Sequence, residues 1–187
     1  RHFPATHPPT FFEVTTVMAL EQFAREKCDV VLLETGLGGR LDATNIVTPI
    51  ASVITSIALD HQQHLGDTLA EIASEKAGII KPRIPVFSTV HQSEISEVIR
   101  NVAAQNKAPL EFIETEVDTC LAGKHQRQNA ALAQATVQAL QDVFPIDDQA
   151  IVDGLANVHW AGRAQCFEKE NQRLLIDAAH NPPARGL

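Results

Sequence analysis

In CDVVLLETGLGGRLDATN (28–45) and IASVITSIALDH (50–61), an unbroken apolar run gives way first to glycine and then to charge. Four to eight consecutive apolar residues that end at Gly or at a charged residue read as a strand buried on both faces, which is how strands of a parallel sheet look. Residues 28–36 and 50–59 are therefore expected to be two such strands. PVFSTV (85–90) and LEFI (110–113) supply a third and a fourth.

Helical patterns lie between and around these runs. The stretch 13–27 carries apolar residues at helical spacing, with Thr10 as N-cap and Glu13 three positions on, a capping box. GDTLAEIASEKAG (66–78) reads as a helix capped by Asp67 or Thr68 at its start and Gly78 at its end. Ser93 is placed to cap an amphipathic helix whose Ile95, Val98, Ile99, Val102 and Ala103 share a face. Two further helices are expected at about 126–143 and 148–156, and RLLIDAAHNP (173–182) as one more strand. Strands alternating with helices at this spacing predict an α/β domain with a parallel sheet and helices on both faces.

The bulk properties bound the function. The 187 residues are 44% hydrophobic and 20% charged, which suits one sizeable core. A net charge of -8 argues against nucleic acid or an anionic membrane as partner, since both need clustered Lys and Arg. Cys28, Cys120 and Cys166 lie far apart and form no CxxC pair, so neither a disulfide framework nor a zinc knuckle is expected, and a reducing cytoplasm is. No apolar run approaches the roughly 18–20 residues of a membrane span. The chain starts at Arg1, not Met, and stops at PPARGL just after a strand-like segment, so both ends read as truncations.

Ligands of open parallel sheets bind beyond the carboxyl ends of the strands. Glu34 ends one apolar run and Asp60-His61 ends the next, which would bring a carboxylate and an imidazole to one sheet edge. Both can reach a divalent cation, although Mg²⁺ prefers oxygen and retains waters. The plainer alternative is that Glu34 caps the glycine loop and His61 is a hydrogen-bonded strand-end residue. Gly36, Gly38 and Gly39 do not form GxGxxG, and GxxxxGK[ST] occurs nowhere, so neither a dinucleotide fingerprint nor a triphosphate cradle is present. Lys76, in the last turn of its helix, suits the helix dipole, and Glu71 and Glu75 read as solvated helix charges.

Together, TFFEVTTVMAL (10–20), LLETGLGGRLDATNIV (32–47), ITSIALDHQQHLGDTLAEIASEKAGIIK (54–81), HQRQNAALA (125–133), WAGR (160–163) and IDAAHNP (176–182) resemble, in order, the folylpolyglutamate synthase / dihydrofolate synthase branch of the Mur ligases. The resemblance implies a truncated, P-loop-NTPase-like central domain over 1–172, with the glutamate-ligase domain starting at 173–187. It implies Glu34 and His61 as Mg²⁺ ligands beside a P-loop Ser or Thr that this chain does not contain. Lys76 matches a lysine carried as a carbamate, which turns a repelled ammonium into an anionic oxygen ligand. Asn129 matches an adenine contact, Arg163 an arginine on the ATP phosphates, Asp177 and His180 inter-domain nucleotide contacts, and Phe12 and Glu13 the pteroate side.

The implied reaction joins L-glutamate to dihydropteroate or folate through an acyl phosphate. ATP and Mg²⁺ are required; Lys76, Arg163 and His61 position and neutralise phosphoryl charge. A cytoplasmic monomer without nucleic-acid or membrane partners is expected, and the fragment alone is expected to be inactive. Two alternatives stand beside this reading: another Mur-type amino-acid ligase, and a non-catalytic nucleotide-binding module.

Overall fold

The structure, a computed structural model, describes residues 8–170 and 172–178. Strands β1 (Ser52–Ile54), β2 (Val86–Ser88) and β3 (Leu110–Phe112) form a parallel sheet in that order, with Val53, Phe87 and Glu111 in register. Parallel neighbours need crossovers. Helices α2 (Gln62–Leu65) and α3 (Leu69–Ala77) connect β1 to β2, and α4 (Ser93–Gln105) connects β2 to β3.

Side chains alternate across a strand, and β2 displays this directly. Val86 belongs to a core with Ile72, Ala73 and Ala77 of α3 and Ile95, Ile99 and Ala103 of α4. Phe87 points the other way, into a second core with Ile113 and with Ala131 and Leu132 of α5 (Lys124–Ala139). The sheet is thus covered on both faces, as expected from sequence. Ile72 and Ile99 are fully buried, each such side chain being worth about 1.5–3 kcal/mol of apolar transfer.

Local signals set the helix starts. Helix α1 (Phe11–Glu26) begins with the Thr10/Glu13 capping box and α3 with a second one, Thr68/Glu71. The first residue of α4 is Ser93, and the cap position falls on Gln92. Helix α5 starts at Lys124 and α6 spans Asp148–Asn157. Among the described residues no helix is long and apolar enough to cross a membrane, and all three cysteines are free and exposed.

One strand expectation is overturned, and another is met in a separate sheet. Residues 28–36 form no strand, and Val30, Val31 and Leu32 are exposed, Leu32 at 93%. An apolar run becomes a strand only where a neighbour offers a ladder; β1 is an edge of the described sheet, and 28–36 pairs with nothing described. The segment 172–176 is a strand, β5 (Gln172–Ile176), but it pairs antiparallel with β4 (Gln165–Lys169) in a separate hairpin. Its expected continuation beyond 178 lies outside the described residues.

Candidate active site

The segment that follows Glu34 is a loop closed on one carboxylate. Asp42 Oδ2 accepts the N–H groups of Gly36 (2.8 Å) and Leu37 (2.9 Å). Its Oδ1 accepts the N–H (2.9 Å) and hydroxyl (2.6 Å) of Thr44, capping a 3-10 turn at Ala43–Ile46. Burial alone would raise the Asp42 pKa; the hydrogen bonds from Thr44, Leu37 and Gly36 outweigh it and hold the carboxyl below its ordinary value.

This loop is pressed against two helices. Gly38 has φ +66°, a region L-residues avoid, and a Cβ there would stand 2.8 Å from Leu65 Cδ2 on α2. A Cβ on Gly39 would stand 2.9 Å from the carbonyl oxygens of both Glu75 and Lys76 on α3. The loop after Glu34, the short helix that starts after His61, and the last turn of α3 with Lys76 are therefore packed as one unit. That brings together the three segments that sequence assigned to metal binding.

Each candidate has its own setting. His61 sits in the left-handed region (φ 50°, ψ 36°), as N-cap of α2, a conformation costing roughly 1–2 kcal/mol for a residue with a Cβ. The Asp60 carboxylate accepts its N–H (2.8 Å) and the His61 carbonyl accepts from His64 (2.9 Å) and Leu65 (3.1 Å), which fix it there. Its imidazole is half-exposed, with Nε2 3.9 Å from Asp60 Oδ1. Strained non-glycine residues gather at ligand sites. Glu34 is exposed and Lys76 half-buried. Among the described residues there is no group of three or more His, Cys, Asp or Glu side chains able to hold a metal.

Phe12 lies over the same loop: a Cβ on Gly36 would meet its ring at 2.8 Å. Glu13 accepts the Thr10 N–H (2.6 Å), and its hydrogen bonds to Thr10 lower its pKa. It also lines an open cavity of about 390 Å³ with Thr16, Leu20, Arg40, Asp42 and Asn45.

Among the residues expected from the resemblance to contact nucleotide, two meet at the β4–β5 hairpin. Asp177 Oδ2 accepts the N–H of Ala164 (2.7 Å), and Ala178 N–H donates to the Gly162 carbonyl (2.9 Å), so the turn carrying Arg163 is closed against Asp177. Arg163 itself is exposed. Asn129, half-buried on α5, donates to Gln126 Oε1 at 3.3 Å. His180 lies outside the described residues.

Two expectations for α3 are corrected. Glu71 is a cap, accepting the N–H groups of Asp67 (2.9 Å) and Thr68 (3.0 Å). Glu75 is no solvated charge either, because Arg40 binds it through Nε (3.1 Å) and Nη2 (2.7 Å). Sequence reasoning also passed over Asp42 and Asn45; an Asx residue two before a Thr, directly after a glycine cluster, is the local signal that could have found Asp42.

No protein-family model matches the chain. The dihydrofolate synthase/folylpolyglutamate synthase of Bacillus subtilis is 39% identical across 92% of this chain and 47% of its own length. The enzyme of the same description from Escherichia coli is 38% identical across 94% of the chain and 44% of its own. Over nine-tenths of its length the chain is homologous to the folylpolyglutamate synthase/dihydrofolate synthase family. It spans about half the length of the curated relatives it matches. Among solved structures, an FPGS–AMPPCP–folate complex superimposes with TM-score 0.88 at 32% identity, covering 95% of this chain and 50% of that one. Folylpolyglutamate synthase from Thermotoga maritima follows with TM-score 0.82 at 32% identity, over 97% and 47%. The parallel-sheet, Mur-ligase-type fold expected from sequence is the fold these structures share.

Proposed function

We propose that this chain is part of an ATP- and Mg²⁺-dependent ligase that adds L-glutamate to dihydropteroate, folates or both. In that reaction the γ-phosphoryl of ATP passes to the substrate carboxylate and ADP leaves; the glutamate amine attacks the acyl phosphate, an amide forms and phosphate departs. The observation that carries the reading is the packing of the loop after Glu34, α2 and the last turn of α3 into one unit. The relatives' names and the solved complex with AMPPCP and folate support the substrate class.

The residues fit a magnesium ion. Mg²⁺ keeps several waters and takes few protein ligands, commonly one or two carboxylates besides substrate phosphates. Glu34 gives one carboxylate and His61 an imidazole. Lys76 supplies a second anionic oxygen once its neutral Nζ adds to CO₂, forming a C–N bond and releasing a proton. A divalent cation bound there would neutralise charge on the transferring phosphoryl group. Arg163, held beside Asp177, offsets phosphate charge, Asn129 and His180 complete the nucleotide contacts, and Phe12 and Glu13 border the acceptor. We place the junction to the next domain at 172/173, and take the protein for a cytoplasmic monomer that handles small molecules only.

The test has two arms. Mn²⁺ titration of the chain by electron paramagnetic resonance should show one site weakened at least about tenfold by Glu34→Gln or His61→Ala. Incorporation of labelled glutamate into folate or dihydropteroate should require a polypeptide extended to the relatives' length, the 187 residues alone being inactive. Turnover of a peptide-carrying sugar nucleotide instead would point to another amino-acid ligase of this fold. Nucleotide binding by the extended protein without turnover would leave a binding module.

A further inference from the structure

Arg40 does more than neutralise a helix glutamate. Its guanidinium converges through two donors on Glu75 Oε1, its backbone N–H donates to the Glu75 carbonyl at 2.8 Å, and its Cβ occupies the space that a side chain at Gly78 would fill. Asn45 adds a second fastening: its Nδ2 donates to the carbonyls of Arg40 and Gly78, each at 3.0 Å, while its own carbonyl accepts Lys81 Nζ at 2.9 Å. These bonds link the far end of the glycine loop to the residues on both sides of Lys76. The near end of that loop begins two residues after Glu34.

We propose that Arg40, Glu75 and Asn45 form a positioning clasp, which sets the separation of Glu34 and Lys76 and so the affinity of the metal site. The inference rests on the metal reading given above. Glu75 precedes Lys76 in the chain, so the ion pair fixes the backbone from which the Lys76 side chain departs. Partners just outside a ligand shell orient the ligands, and losing one commonly weakens metal binding by about 10–100-fold. The Arg40 and Glu75 side chains are 56% and 24% exposed. With Glu75 three-quarters buried the pair also supports the fold, so a variant that loosens α3 elsewhere is needed to separate an effect on the site from an effect on stability.

Three variants decide the matter, with Mn²⁺ as probe and ¹³C-bicarbonate supplied to read the carbamate signal of Lys76 by NMR. Arg40→Ala should weaken Mn²⁺ about tenfold and reduce the carbamate signal while the circular dichroism spectrum stays unchanged. The double exchange Arg40→Glu with Glu75→Arg should recover most of both. Thr68→Ala loosens α3 from its other end, and should lower the melting temperature without moving Mn²⁺ affinity. Unchanged affinity in Arg40→Ala overturns the clasp, and so does an equal loss of affinity in Thr68→Ala. Where Arg40→Ala fails to fold, Glu75→Gln, which keeps an acceptor of the same shape, is read in its place with a smaller expected loss. Wild-type protein without any Glu34-dependent Mn²⁺ site or carbamate signal would overturn the metal reading and the clasp together; a wild-type site indifferent to Arg40 and Glu75 overturns the clasp alone.

Discussion

Replacing Gly39 by Ala adds a single methyl group where the glycine loop seats on the last turn of α3. The new Cβ would stand 2.9 Å from two backbone carbonyl oxygens, those of Glu75 and Lys76, and 2.9 Å from Ile79 Cγ2, against the 3.4 Å where ordinary contact begins. About 0.5 Å must therefore be found, and the atoms in the way are mostly helix backbone, which cannot rotate aside as a side chain tip can. Overpacking of this kind costs about 1–3 kcal/mol. The lost flexibility of the unfolded chain returns about 0.4–1 kcal/mol, leaving a net destabilisation of up to about 2.6 kcal/mol, about 1.3 kcal/mol at mid-range. For a chain of this size the mid-range value is a fall in melting temperature of about 3–5 °C. Gly154→Ala is the internal comparison, because a Cβ there meets nothing within 4 Å and lies inside α6, so it should stabilise by up to about 1 kcal/mol. Thermal unfolding of the two variants side by side should give shifts of opposite sign. Gly39→Ala melting with or above the wild type would refute the claim that the loop is seated on α3.

Three other outcomes are expected. Asp42 has a folded pKa below its ordinary value; the unfolded chain then binds the extra proton, so its contribution is full above about pH 4 and disappears as pH falls through the folded value. Denaturant unfolding of Asp42→Asn from pH 7 to 3 should therefore give a flatter acid limb, with about 1–2 kcal/mol lost at neutral pH. Thr68→Ala removes the cap of α3 and should cost about 1 kcal/mol in the same assay. Leu32→Ser should change stability by no more than about 0.5 kcal/mol, whereas Ile72→Ala should cost about 2–5 kcal/mol; a large loss for Leu32→Ser would mean that residues 28–36 are a packed strand after all.

What sequence disclosed and what it withheld divide by range. The capping boxes at Thr10/Glu13 and Thr68/Glu71 span three residues, and both were readable because cause and effect share one turn of helix. The layered sheet was readable because Val86 and Phe87 each carry a hydrophobic side chain to an opposite face. Residues 28–36 misled because apolar content says only that a run can be buried, while a strand needs a neighbour supplied from elsewhere. Glu75 misled for a related reason: its partner, Arg40, is 35 positions away, and helical spacing carries no trace of such a bond.

The same division explains how the candidate site is built. Glu34, His61 and Lys76 are unremarkable one at a time, each having an ordinary role at a loop, a strand end or a helix terminus. Glycines at 38 and 39 remove the side chains that would otherwise hold the loop away from α2 and α3. Asp42 closes the loop with four hydrogen bonds, so it arrives at α3 already shaped. Arg40 and Asn45 then fasten it around the turn that carries Lys76. In the proposed site the candidate ligands sit on three separate segments, and they acquire a common geometry only through the contacts behind them.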